Sequence, residues 1–122
     1  MAHPTKIDIA AKLSLFDDTW SPRIVGEVND VQVKLTKLDG EFDWHRHEAE
    51  DELFLVISGR LVMRFRDGAE VVGPGELIIV PRGVDHLPIA DPVTSVLLVE
   101  PKTTLNTGNL RNERTIDQLP RI

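Results

Sequence analysis

The sequence predicts an all-β fold, a sandwich or barrel built from short strands. Three observations carry that expectation. Apolar or alternating runs recur at roughly the 8–12-residue spacing such folds use. Tight-turn residues punctuate them, at Ser58-Gly59, Asp67-Gly68, Gly73-Pro74-Gly75 and Pro81-Arg82-Gly83. With 122 residues, 41% of them hydrophobic and 28% charged, the chain fits one compact globular domain, residues 1–122, and is too short for two ordinary ones.

Taken in order, the chain opens with its one helical pattern. Thr5 and Asp8 resemble a capping box, and Ile9, Leu13 and Phe16 recur at helical spacing, which predicts a short amphipathic helix over about residues 6–14. A strand follows at 24–27, with Asn29-Asp30 as a turn. Val31, Val33 and Leu35 then alternate with polar residues, and Asp39-Gly40 reads as a hairpin-type turn. Further strands are expected at 41–47, 52–57, 60–65, 69–72, 77–80, 84–89 and 94–100, giving a barrel core over about residues 24–100 and a tail over 101–122.

The faces of these strands differ. Leu61, Met63 and Phe65 share one side of their strand while arginines occupy most of the other, so that wall has one wet face. The run 52–57 and the run 96–99 are apolar on both faces. One interior covers one face only, so the second face needs the amino-terminal helix or a second subunit, and a homodimer is expected.

Composition excludes several classes. A net charge of −6 with no basic stripe argues against a nucleic-acid partner. The absence of cysteine removes disulfides and thiolate chemistry and fits a reducing compartment. The absence of tyrosine removes a phenolic acid. Lys6, Asp8 and Lys12 break up the amino terminus, unlike a signal peptide, and no apolar run approaches the roughly 20 residues that span a bilayer. A cytoplasmic protein with no membrane partner is expected.

The residues able to do chemistry are concentrated. In the stretch WHRHEAEDELFLVISG, residues 44–59, His45 and His47 are two apart. On a strand both point to the same side with Asp43, while Phe42 and Trp44 point away. His86 follows a turn that can aim it into the same cavity, and Glu52 opens a strand on the face shared with Phe54 and Val56. An ionised carboxylate on an apolar face is costly unless it is paired or bound to a cation. Glu48, Glu50 and Asp51 read as a solvated loop, and Trp20 and Trp44 as packing or interface residues. Arg64 falls on the wet face and is not counted as an anion binder. By strand parity, Phe54, Val56 and Met63 line the cavity and are the residues expected to meet a substrate.

Two stretches together resemble the signatures of the cupin superfamily. Gly40-EFDW-His45-R-His47-EAED-Glu52-LFLVIS-Gly59 is similar to the first, and Gly75-ELIIV-Pro81-R-Gly83-VD-His86-LPI-Ala90 to the second. Two departures are local: Gly40 sits one residue closer to His45 than usual, and Ala90 stands where many cupins have asparagine. The resemblance covers about residues 24–100 and is similar to small bacterial cupins labelled mannose-6-phosphate isomerase-like. It implies a cupin-type double-stranded β-helix, or jelly-roll barrel, and a divalent metal ion, one per chain, held by His45, His47, Glu52 and His86.

Three imidazoles and a carboxylate suit Fe(II), Mn(II), Ni(II), Co(II) or Zn(II). Each histidine's second nitrogen needs an orienting partner, for which Asp43, Asp85 or backbone carbonyls are at hand. The expected function is that of a metal-dependent enzyme acting on a small polar, sugar-like, keto-acid or enediol substrate. Dioxygenase and isomerase or lyase chemistry both fit. Isomerisation usually needs a separate proton shuttle, for which the chain offers only carboxylates and lysines. The alternative is a non-catalytic, metal-dependent module that binds a sugar or another small molecule.

Overall fold

A computed structural model describes residues 3–122. A short helix α1 (Ile9–Leu13) precedes seven strands: β1 (Arg23–Val28), β2 (Val31–Glu41), β3 (Glu52–Ser58), β4 (Leu61–Phe65), β5 (Gly68–Val72), β6 (Leu77–Val80) and β7 (Leu87–Pro101). The helix is shorter than the predicted 6–14 because Asp8 is itself the N-cap, its Oδ1 accepting from the Ala11 N–H at 3.0 Å. None of its residues is buried.

All strand pairs are antiparallel, in the order β1-β2-β7-β3-β6, with β4 joining β5 to β7. The long β7 serves two walls. Its first part, Leu87–Ala90, pairs with β4, and its second, Thr94–Pro101, pairs with β2 and β3. The sheet thereby folds around a core in which Leu38, Phe54, Val56, Leu61, Met63, Val72, Val80, Ala90, Val96 and Leu98 are buried. That is the double-stranded β-helix expected.

Three local expectations fail for one reason. Asp39-Gly40 is not a hairpin turn: β2 continues through it to Glu41, with Gly40 at φ 76° in a register shift where it faces Ala90 of β7. Residues 42–47 are not a strand either, and only an isolated bridge between His45 and His86 ties them to the sheet. Likewise the separate strands at 84–89 and 94–100 are one strand, β7, that begins at Leu87. In each case a distant partner strand decides the conformation over the local turn signal.

Side-chain alternation runs against habit at one end of this sheet. On β2 the inward row is Gln32, Lys34, Thr36 and Leu38, all buried, while Val33 on the other face is only half-buried. Glu52 on β3 and Glu100 on β7 also point inward and are buried. The outward face instead carries Leu53, Leu55, Leu97 and Val99, half-buried, and Leu77 and Ile79, exposed.

Residues 102–122 form no strand but are not a loose tail. Asn109 exchanges two hydrogen bonds with the Arg46 backbone, donating to its oxygen and accepting from its N–H, each at 2.9 Å. The Asn112 amide donates to Asp43 Oδ2 at 3.1 Å, and Thr103 donates to Glu50 at 2.8 Å. Ile24 and Arg121 form a bridge. This strap lies across the segment that carries His45 and His47. Gly108 is pressed so close that a Cβ there would run into the Arg46 carbonyl oxygen.

Candidate metal centre

His45, His47, Glu52 and His86 come together and are buried, each with one ligand atom within 4.8 Å of all the others. Donors bonded to one ion at about 2.1 Å stand at most about 4.2 Å apart, so a small contraction closes the set on a cation. Glu52 Oε1 lies 3.2 Å from His47 Nε2 and 3.6 Å from His86 Nε2. The irregular segment 42–47 presents two ligands, the start of β3 a third, and the residue before β7 the fourth.

The hydrogen-bonding state of these atoms tests whether an ion fits. The second nitrogens of two rings are fixed from behind: His45 Nδ1 lies 2.9 Å from the Asp43 carbonyl oxygen and His86 Nδ1 lies 3.0 Å from that of Val84. Each Nδ1 then carries the proton, which leaves Nε2 as a bare acceptor facing the cluster. Backbone carbonyls therefore orient the rings, and the Asp43 and Asp85 carboxylates do other work. Asp43 accepts from Asn112, and Asp85 pairs with Arg46 and Arg66. On the inner side, His47 Nε2, His86 Nε2 and Glu52 Oε1 are buried with no hydrogen-bond partner. Orphaned acceptors converging on one point are costly without a cation, and a divalent ion satisfies all of them at once.

Electrostatics agree. Burial, and then the neighbouring His86, push the His45 imidazole down to about 4, so it is neutral and ready to donate a lone pair. Burial opposes the charge of Glu52, yet the close approach of Glu100, His47 and His86 holds its carboxyl well below the usual carboxylate range. Glu100 is its counterpart. Burial, and then the facing Glu52, drive Glu100 well above that range against the pull of Lys34, whose Nζ lies 2.7 Å from Glu100 Oε1.

Beside the cluster opens a small pocket of about 40 Å³. His45 and Glu52 form its metal-side wall, Glu100 and Thr36 flank it, and Phe54, Phe42 and Trp20 supply aromatic surface. Of the residues expected to line it, Phe54 does. Val56 and Met63 are fully buried in the core and lie outside the pocket wall, because strand parity fixes a side but not a depth. Trp20, read from the sequence as packing, is both: it stacks on Phe42 at 4.6 Å and faces the pocket. Trp44 is on the surface side, under the Arg66 guanidinium at 3.9 Å. Glu48, Glu50 and Asp51 are solvated loop residues paired with Arg46, Thr103 and Arg82. His3 is exposed. Sequence reasoning did not find Lys34, Thr36, Glu100 and Asn106. The one available signal was that Glu100 shares strand parity with Val96 and Leu98, which face the core.

Known proteins with the same features supply the family. A model of the cupin domain matches residues 32–100. A cupin-2 domain containing protein from Shewanella frigidimarina, of known structure, is 43% identical with a TM-score of 0.78, covering 79% of this chain and 94% of that one. The structure of protein NMB1881 from Neisseria meningitidis is 28% identical with a TM-score of 0.74, covering 80% of this chain and all (100%) of that one. An uncharacterized Bacillus subtilis protein, YdbB, is 40% identical over 63 residues, or 51% of this chain and 56% of its own length. The chain thus spans little more than half of that relative. With the signature residues gathered as described and the match running over most of the barrel, the chain belongs to the cupin domain family.

Proposed function

We propose that this protein is a metal-dependent enzyme that binds one small molecule through its oxygen atoms beside His45, His47, Glu52 and His86. The observation that supports it is the set of buried, partnerless acceptors converging next to an open pocket. A divalent ion held there would supply Lewis-acid polarisation of a bound oxygen or, if it is redox-active, oxygen chemistry. The protein's own part is to fix the rings through the Asp43 and Val84 carbonyls, exclude water with Trp20, Phe42 and Phe54, and present Glu100.

Glu100 favours the isomerase or lyase arm over the dioxygenase arm. Proton transfer needs a group beyond the metal ligands, and Glu100 is a buried carboxyl on the pocket wall. A homodimer formed through the outward apolar face completes the reading. No helix among the described residues is long and apolar enough to cross a membrane.

Protein purified without chelators or a nickel column is expected to carry about one divalent ion per chain, measured by elemental analysis. His47→Ala and Glu52→Ala should each lose it while retaining the β-type circular dichroism of the parent. Full metal content in both variants would overturn the site. The metal's identity then separates the two chemistries, a redox-inert ion favouring isomerisation.

A further inference from the structure

Half of the ligand set rides on backbone that belongs to no strand. Glu52 opens β3, paired with Val80 of β6, and His86 directly precedes β7. His45 and His47 lie instead on the irregular segment 42–47. The barrel holds this segment at scattered points. The Phe42 N–H donates to the Pro88 oxygen at 3.0 Å, His45 exchanges both backbone groups with His86 at 3.1 and 2.9 Å, and the His47 oxygen accepts from the Gly83 N–H at 2.8 Å. Arg46, between the two histidines, turns its backbone groups to the carboxyl-terminal strap instead. Its oxygen accepts from the Asn109 N–H and its N–H donates to Asn109 Oδ1, each at 2.9 Å.

Two neighbours of Asn109 reinforce that grip. The Asn112 amide donates to Asp43 Oδ2 at 3.1 Å, and it is the carbonyl of the same Asp43 that faces His45 Nδ1 at 2.9 Å. Gly108, at φ 59°, lies against the backbone of Arg46 where no side chain fits. A Cβ there would also stand 3.1 Å from His45 Cδ2, the ring carbon bonded to Nε2. The strap therefore backs the His45 ring beside the nitrogen that faces the cluster.

The strap is stiff enough to transmit such a restraint. Asn106 cross-braces it, donating to the Arg114 oxygen at 2.7 Å and accepting from the Ile116 N–H at 2.9 Å. Thr107, fully buried, shares a hydrogen bond with Thr115 at 2.7 Å. Its far end is tied to β1, where Ile24 donates to the Pro120 oxygen at 2.9 Å and accepts from the Ile122 N–H at 3.0 Å. Ligands already held in place lose less freedom when a cation binds, so such bracing is worth affinity.

We propose, on the metal-dependent reading of the site, that the strap is the positioning element for His45 and His47, and that through Asn109 and Asn112 it sets how tightly the site holds its cation. Both are positioning residues: they act through the backbone of Arg46 and through Asp43, not on the ion.

The test is a competition titration of the full chain for Zn(II) against a chromophoric chelator, with the visible spectrum of the Co(II)-loaded chain as a second readout. Asn109→Ala removes the Oδ1 acceptor at an exposed position. It is expected to weaken zinc roughly tenfold, the lower end of what a lost outer partner of a ligand costs, and to alter the Co(II) spectrum, while the metal-free chain keeps its β-type circular dichroism. Asn109→Asp retains an acceptor oxygen and should restore the parent affinity. Asn112→Ala should weaken zinc in the same sense, and it carries the test if Asn109→Ala does not fold. Arg111→Ala breaks only an ion pair within the strap, to Asp117, and should change neither readout. Parent affinity and spectrum in both alanine variants at 109 and 112 overturn the positioning role. Equal weakening by Asn109→Asp or by Arg111→Ala overturns it too, since the loss would then come from general disturbance of the strap. A parent that takes up no zinc defeats the metal reading first and the role of the strap with it, whereas a parent that binds beside unaffected variants defeats the role of the strap alone.

Discussion

The two faces of the sheet formed by β2, β7, β3 and β6 are opposite in character, and in the unexpected sense. The inner face at one end holds Gln32, Lys34, Thr36, Glu52 and Glu100, all buried. The outer face pairs Val33, Val99, Leu53 and Ile79 across neighbouring strands, and in the next row Leu35, Leu97, Leu55 and Leu77. Folding normally puts the second set inside. A buried ion pair adds little net stability compared with a well-packed apolar replacement, so stability does not account for the inner set. The proposed chemistry does: the polar row begins at the candidate metal ligand Glu52 and lines the pocket through Thr36 and Glu100. Within one chain the outer face is closed over at Leu35, which is fully buried, but Leu77 and Ile79 stay more than half exposed.

The contrast can be broken most sharply from the inside. Lys34→Met removes the cation held by Glu100 and leaves a buried carboxyl beside Glu52. A loss of about 3 kcal/mol is expected in urea unfolding. A variant as stable as the parent would mean that the inner row tolerates being apolar and carries no electrostatic constraint.

A second, comparable effect lies in pH. The folded chain holds the His45 imidazole at about 4 against an ordinary 6.5, so between those values the unfolded chain binds a proton that the native metal-free chain refuses. Stability from this group is complete above pH 6.5 and is lost as pH falls towards 4, by about 3 kcal/mol in all. Unfolding midpoints of metal-free protein across that range should decline steadily. A flat profile would show the ring to be already charged or exposed.

The smallest effect on stability is expected outside. Ile79 is 55% exposed, so Ile79→Lys should change the unfolding free energy of one chain by no more than about 0.5 kcal/mol. Its consequence is for association: gel filtration should show a dimer for the parent and a monomer for the variant. A parent that elutes as a monomer would leave the outer face without a partner copy.

What was legible in the sequence follows from the range of each interaction. Strand periodicity and turn residues are local, and they located β3, β4, β5 and β6 to within a residue. The two signature stretches named four candidate ligands, and the structure gathers those side chains into one cluster. Long-range pairing was not legible. Asp39-Gly40 looks like a turn until β7, some fifty residues on, supplies a partner for Gly40, and segment 42–47 looks like a strand although the barrel ties it only by the bridge from His45 to His86. Residues 102–122 show no apolar period because Asn109, Asn112 and Thr103 anchor them by polar contacts. The Lys34–Glu100 pair, 66 residues apart, leaves no trace in either local pattern.

The origin of the pocket's mouth has a consequence of its own. Trp20 and Pro22 precede the span matched by the cupin domain, and Asn106 follows it. The matched span carries the four candidate ligands, whereas part of the pocket wall comes from outside it. Changes at Trp20, Pro22 or Asn106 can therefore alter what enters the pocket while leaving those four side chains in place.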